Sequence, residues 1–115
     1  MTPEAEVLHA VVTEMERNSI PYMIVGSFAT SFWGRPRATH DADMVIAMPA
    51  ESAPALASAL EGRFYADAEA MMNAVRRRSM FNLIHYASTF KIDMWILKDD
   101  DYARAAFGRR RREQL

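Results

Sequence analysis

Three aspartates carry the chemistry open to this 115-residue chain: Asp41 and Asp43, two residues apart at the start of an apolar run, and Asp93, alone in Phe90-Lys91-Ile92-Asp93-Met94-Trp95-Ile96-Leu97. An ionised carboxylate is costly to bury without a partner. Three brought to one place would repel one another unless a cation lay between them, so a hard, oxygen-ligated metal such as Mg2+ or Mn2+ is the expected companion. Upstream, Tyr22-Met23-Ile24-Val25 runs into Gly26-Ser27, a strand ending in a small-residue turn suited to phosphate. The combination points to metal-dependent chemistry on a nucleotide.

The elements that must position these residues can be read from periodicity. Thr2-Pro3 opens a helix with Glu4 and Glu6 in its first turn and Val7, Leu8, Val11, Val12 and Met15 on one stripe, ending near Asn18-Ser19. Residues 22–25 read as a buried strand, 27–32 as a short helix ending near Gly34, and 35–40 as a loop leading to a strand over 41–48 closed by Pro49. Ala53, Leu56, Ala57 and Leu60 repeat at helical spacing and stop at Gly62; Phe64-Tyr65 is a short strand; Asp67 caps a helix with Ala68, Met71, Met72 and Val75 inward. Strands over 80–87 and 90–97 pair as a hairpin through Ala87-Ser88-Thr89, and a helix from Asp99 to Gly108 follows. The expected fold is α/β (α+β): a mixed sheet of four or five strands with helices packed on it.

Composition bounds the rest. The length suits one domain over 1–108, with 109–115 a basic tail, either disordered or the point where a longer chain is cut. Half the residues are hydrophobic and a quarter charged, an ordinary globular balance. The absence of cysteine excludes disulfides and thiolate metal sites. No run approaches the roughly 18 apolar residues of a membrane span, so a soluble cytoplasmic protein is expected. The net charge of −1 hides basic clusters at Arg76-Arg77-Arg78 and Arg109-Arg110-Arg111-Arg112, solvated or able to meet an RNA acceptor, and an acidic one at Asp99-Asp100-Asp101.

Strand alternation sharpens the site. Asp41 and Asp43 leave one face with Cα atoms roughly 6.6 Å apart, a span two carboxylates can close around a metal pair, while Met44, Ile46 and Met48 take the opposite, core face. In the later strand Phe90, Ile92, Met94 and Ile96 share a face, leaving Asp93 between Lys91 and Trp95 on the other. Asp93 therefore either lies beside the pair or is an aspartate paired with Lys91 or an arginine at a sheet surface. A core role is expected for Trp33 and Trp95, and His9 and His85 read as structural.

Gly26-Ser27, then Arg37-x-Thr39-x-Asp41-x-Asp43 before an apolar run, then a lone aspartate in a later strand, resembles the nucleotidyltransferase superfamily of the DNA polymerase β type. Within it, the string looks most like the AbiEii-type and minimal nucleotidyltransferases of prokaryotic toxin-antitoxin and phage-defence systems. The resemblance covers residues 5–97. It implies a nucleotidyltransferase-like fold in which Gly26 and Ser27 contact nucleotide phosphates, with Arg37 and Thr39 in the same nucleotide-binding string. Asp41 and Asp43 would bind the metals and Asp93 would be the third carboxylate. It further implies an NTP substrate and a hydroxyl acceptor on a protein, an RNA such as tRNA, or a small molecule, with a toxin protein as a possible partner.

Two function classes follow. One is an active Mg-dependent enzyme moving a nucleoside monophosphate to a hydroxyl. The other is a nucleotidyltransferase-like module that acts by docking on a partner. The His40-Asp41 pair is also the adjacent pair of a metal-dependent phosphohydrolase, but that fold is helical and here the pair enters a strand.

Overall fold

Residues 3–25 and 41–109 are described by a computed structural model of the chain. Helix α1 (Pro3–Arg17) forms because Pro3 sits where no intrahelical N–H is needed, Glu4 and Glu6 meet the positive end of the dipole, and Leu8, Val11, Val12 and Met15 bury one stripe. It stops in a Schellman-type turn: Ile20 N–H donates to the Met15 carbonyl at 2.9 Å and Ser19 N–H to the Glu16 carbonyl at 3.2 Å. Ser19 adopts the left-handed conformation at φ 56°, and Ile20 is buried against the core.

Five strands follow: β1 (Tyr22–Val25), β2 (Asp41–Ile46), β3 (Phe64–Tyr65), β4 (Met80–His85) and β5 (Lys91–Ile96). They form one sheet in the order β1-β2-β5-β4-β3. β2 and β5 are parallel, while β1 with β2, β5 with β4 and β4 with β3 are antiparallel. This is the mixed sheet expected. β2 is shorter than the 41–48 span read from the sequence; beyond Ile46 the chain keeps Met48 buried but turns at Pro49 into a 3-10 turn at Ala50–Ser52. The parallel β2·β5 pair was not among the sequence expectations, and it matters most for the site.

Helix α2 (Ala53–Leu60) buries Ala53, Leu56 and Leu60 and reverses at Gly62, whose φ of 89° suits a residue without Cβ. Helix α3 (Ala68–Arg77) is capped as its sequence expects, the Asp67 carboxylate accepting from Glu69 N–H at 3.0 Å and Ala70 N–H at 3.4 Å. Its buried line is Met71 and Ala74, with Ala68, Met72 and Val75 half-buried, so the inner face is rotated slightly from the expected one. The helix ends with Arg78 left-handed at φ 49°, and the Arg78 guanidinium donates to the Leu97 carbonyl at 2.8 Å, tying the helix end to the chain just past β5. Helix α4 (Asp101–Gly108) starts at an Asp100 cap, and Phe107 is its buried residue.

The core lies on the sheet face bearing Ala42, Met44, Ile46, Phe81, Leu83, Ile92, Met94 and Ile96, which with the inner stripes of α1, α2 and α3 form one cluster of buried side chains. Glu14 is the buried charged residue of the described chain; Arg17 at 3.2 Å and Arg63 at 3.4 Å neutralise it. The short helix expected over 27–32, the loop over 35–40 and the arginine run beyond Arg109 lie outside the described residues.

Two substitutions test this packing in opposite directions. Ile92→Ala, fully buried in β5, should cost about 2–5 kcal/mol. Ser19→Gly should add a few tenths to about 1 kcal/mol by removing the left-handed penalty. Urea unfolding monitored by circular dichroism measures both.

Candidate functional site

Alternation and register together bring two of the three aspartates side by side. In β2 the even residues Ala42, Met44 and Ile46 are buried, so Asp41, Asp43 and Val45 emerge on the other face. In β5 Ile92, Met94 and Ile96 are buried, so Lys91, Asp93 and Trp95 share that same emergent face. The parallel ladder sets Asp43 opposite Asp93, Asp41 opposite Lys91 and Val45 opposite Trp95. Neighbouring strands lie about 4.8 Å apart, so the two carboxylates project from adjacent backbones with Asp41 roughly 6.6 Å further along β2. Of the expected pair, Asp43 is the member set directly opposite Asp93, and Lys91 Nζ stands 3.6 Å from Asp93 Oδ1.

The row continues across the sheet. Val25 at the end of β1 pairs with Asp43, and Asn82 of β4 pairs with Asp93, giving a line Val25–Asp43–Asp93–Asn82. Two like charges directly opposite destabilise a sheet by a few tenths to about 1 kcal/mol. Here each carboxylate takes a donor through Oδ1: Asn82 Nδ2–H donates to Asp93 at 2.6 Å and Trp95 Nε1–H donates to Asp43 at 3.1 Å. Lys91 adds positive charge to the pair. The Asp93 side chain is 20% exposed, enough to be reached by a ligand and too little to ignore its neighbours.

Carboxylate oxygens are the donors a hard divalent cation takes, and Asp43 with Asp93 supplies them from adjacent strands. As the side chains stand, no group of three or more His, Asp or Glu among the described residues is set to hold a metal ion, so Asp41 does not complete a trio with the other two. Gly26, Ser27, Arg37 and Thr39, together with Arg35 and Trp33, lie outside the described residues. The last described residue before Gly26 is Val25 at the end of β1, and it stands opposite Asp43.

One participant, Asn82, escaped the sequence reading, and a second, Trp95, was given the wrong burial. Asn82 gave a usable signal, since it is a polar residue at an alternate position between Met80 and Ile84, and pairing the 80–87 and 90–97 strands would have brought it to Asp93. For Trp95 a core role was expected although strand alternation set it on the Asp93 face; it is 45% exposed on that face, as the alternation with buried Met94 and Ile96 requires. His85 is structural as expected, its Nδ1 2.8 Å from Ser88 Oγ in the β4–β5 turn and its ring against Phe64. Of the first arginine cluster, Arg76 and Arg77 are exposed at the end of α3, while Arg78 is engaged with Leu97 and, at 4.0 Å, with Asp99.

Comparison of the chain with protein-family models, with curated proteins and with solved structures finds no match. No helix among the described residues is long and apolar enough to cross a membrane.

The opposed carboxylates generate a stability prediction. Asp43→Asn keeps an acceptor for Trp95 and removes one of two facing like charges, so the metal-free protein should be equally stable or up to about 1 kcal/mol more stable. Urea unfolding in EDTA decides it, and a loss above about 1 kcal/mol would make the Asp43 charge a structural partner.

Proposed function

We propose that the chain is a metal-dependent nucleotidyltransferase, moving a nucleoside monophosphate from an NTP to a hydroxyl acceptor. The observation that carries this reading is the in-register pair Asp43 and Asp93 on parallel strands, with Asp41 two residues earlier on the same face. Further support is the position of Val25 opposite Asp43, which brings the chain to the carboxylates just before Gly26-Ser27.

The roles follow from chemistry. Asp41, Asp43 and Asp93 are the residues that would hold Mg2+ or Mn2+. Bound there, such ions would supply charge neutralisation at the transferring phosphate and at the leaving group. The acceptor oxygen forms a bond to the α-phosphorus, the α–β phosphoanhydride bond breaks, and pyrophosphate leaves with its electron pair. The hydroxyl proton passes to Asp93, a carboxylate whose Oδ2 takes no bond from a described residue. Gly26 and Ser27 would hold the triphosphate, with Arg37 and Thr39 alongside it. A substrate of this kind and the absence of cysteine suit the cytoplasm. The acceptor would be a partner protein of a toxin-antitoxin pair, a tRNA met by the exposed Arg76 and Arg77, or a small molecule.

A second reading, a catalytically weak module that docks on a partner protein, draws support from the same site. The carboxylates of Asp43 and Asp93 are already engaged by Trp95, Asn82 and Lys91, and among the described residues no third acidic side chain joins them.

Two experiments separate the readings. Calorimetry should detect NTP binding with Mg2+ and none in EDTA, because bare carboxylates repel the phosphates; equal affinity in both would count against the metal site. With α-labelled NTP, Mg2+ and total tRNA or the product of a neighbouring gene, wild type should label the acceptor. Asp41→Ala and Asp93→Ala should each reduce transfer by at least about a hundredfold without weakening partner binding. A partner bound and modulated equally well by wild type and both variants, with no label transferred, would leave the docking role.

A further inference from the structure

Trp95 is the anomaly on the aspartate face. A tryptophan left 45% exposed on a strand forgoes much of the burial that usually explains one. Its neighbours on the same face of β5, Asp93 and Lys91, are polar. Trp95 lies two residues past Asp93, opposite Val45, which makes it the diagonal neighbour of Asp43 across the parallel ladder. Diagonal positions are separated by about 7–8 Å, a gap a long aromatic side chain can bridge. The indole nitrogen is a donor and never an acceptor, so a carboxylate oxygen is a natural partner for it. It meets Asp43 Oδ1 at 3.1 Å.

We propose that Trp95 is a positioning residue for Asp43: its indole N–H fixes one carboxylate oxygen and leaves the other, Oδ2, as the oxygen offered to a divalent cation. This rests on the metal-dependent reading above and adds to it a residue that touches neither substrate nor ion. The arrangement is two-sided. Asn82, coming from β4, holds Oδ1 of Asp93 at 2.6 Å in the same manner, so both members of the facing pair are pinned through Oδ1 and both keep Oδ2 outside any hydrogen bond to the described residues. Two unpinned carboxylates on adjacent strands would rotate apart to reduce their repulsion. Donors on the flanks hold them in place at modest cost, because each donor also offsets part of the charge.

The test uses the intact chain and has two parts. In the metal-free protein, the Trp95 Nε1–H proton resonance, assigned with Trp33→Phe, should shift upfield on Asp43→Ala and stay in place on Asp41→Ala. No response to Asp43→Ala overturns the proposal. Mn2+ titration followed by electron paramagnetic resonance then compares wild type with Trp95→Phe, which keeps the ring and loses the donor. Affinity should fall about three- to tenfold. If wild type binds Mn2+ and Trp95→Phe binds it equally, the positioning role fails while the metal site stands. If wild type binds no Mn2+, the metal-dependent reading fails and takes this role with it. Should Trp95→Phe not fold, the resonance shift in the tryptophan-95 protein decides.

Discussion

The parallel pairing of β2 with β5 is the constraint on which the rest depends. Side chains alternate with a period of two, so sliding one strand by a single residue would send Asp43 or Asp93 into the core and an isoleucine or methionine out of it. The register is therefore fixed by Met44, Ile46, Ile92 and Met94, each fully buried on the opposite face. The apolar side of the sheet sets the position of the charged side. Two strands distant in sequence are held adjacent by hydrophobic burial, and the facing aspartates are the consequence on the other surface.

Facing like charges survive because the surroundings are arranged around them. Lys91 supplies a cation at 3.6 Å from Asp93, and Asn82 and Trp95 supply donors from either side of the pair. None of these partners requires the carboxylates to leave the surface: Asp93 keeps 20% exposure, and Asp41, further along β2, is exposed. The molecule thus keeps negative charge within reach of a ligand while avoiding the several-fold larger penalty of an unpaired buried ion. Where a charge is buried among the described residues, at Glu14, two arginines meet it, a structural solution.

Local features were legible in the sequence, and long-range ones only in part. The α1 stripe, the Asp67 cap, the β4–β5 hairpin and the common face of Asp41 and Asp43 each depend on residues close in the chain, so spacing and side-chain type suffice. Asp93 was expected beside the Asp41 and Asp43 pair, but the parallel ladder that sets it opposite Asp43, residue for residue, arises from packing among elements far apart in sequence. Asn82 was passed over because one polar residue in an apolar run carries no marker of its partner until the hairpin register is drawn. For Trp95 the general habit of tryptophan and the alternation of its own strand pointed to different places, and the structure follows the alternation.

Paramagnetic broadening by Mn2+ in the NMR spectrum of the whole chain tests the central claim most directly, because it reports where an ion sits without requiring the right acceptor. Substoichiometric Mn2+ should broaden the Trp95 indole N–H and the Asn82 side-chain amide first, and the Asp43→Asn, Asp93→Asn double variant should lose that effect. Broadening centred on the exposed Asp99-Asp100-Asp101 cluster instead, or unchanged in the double variant, would contradict the account.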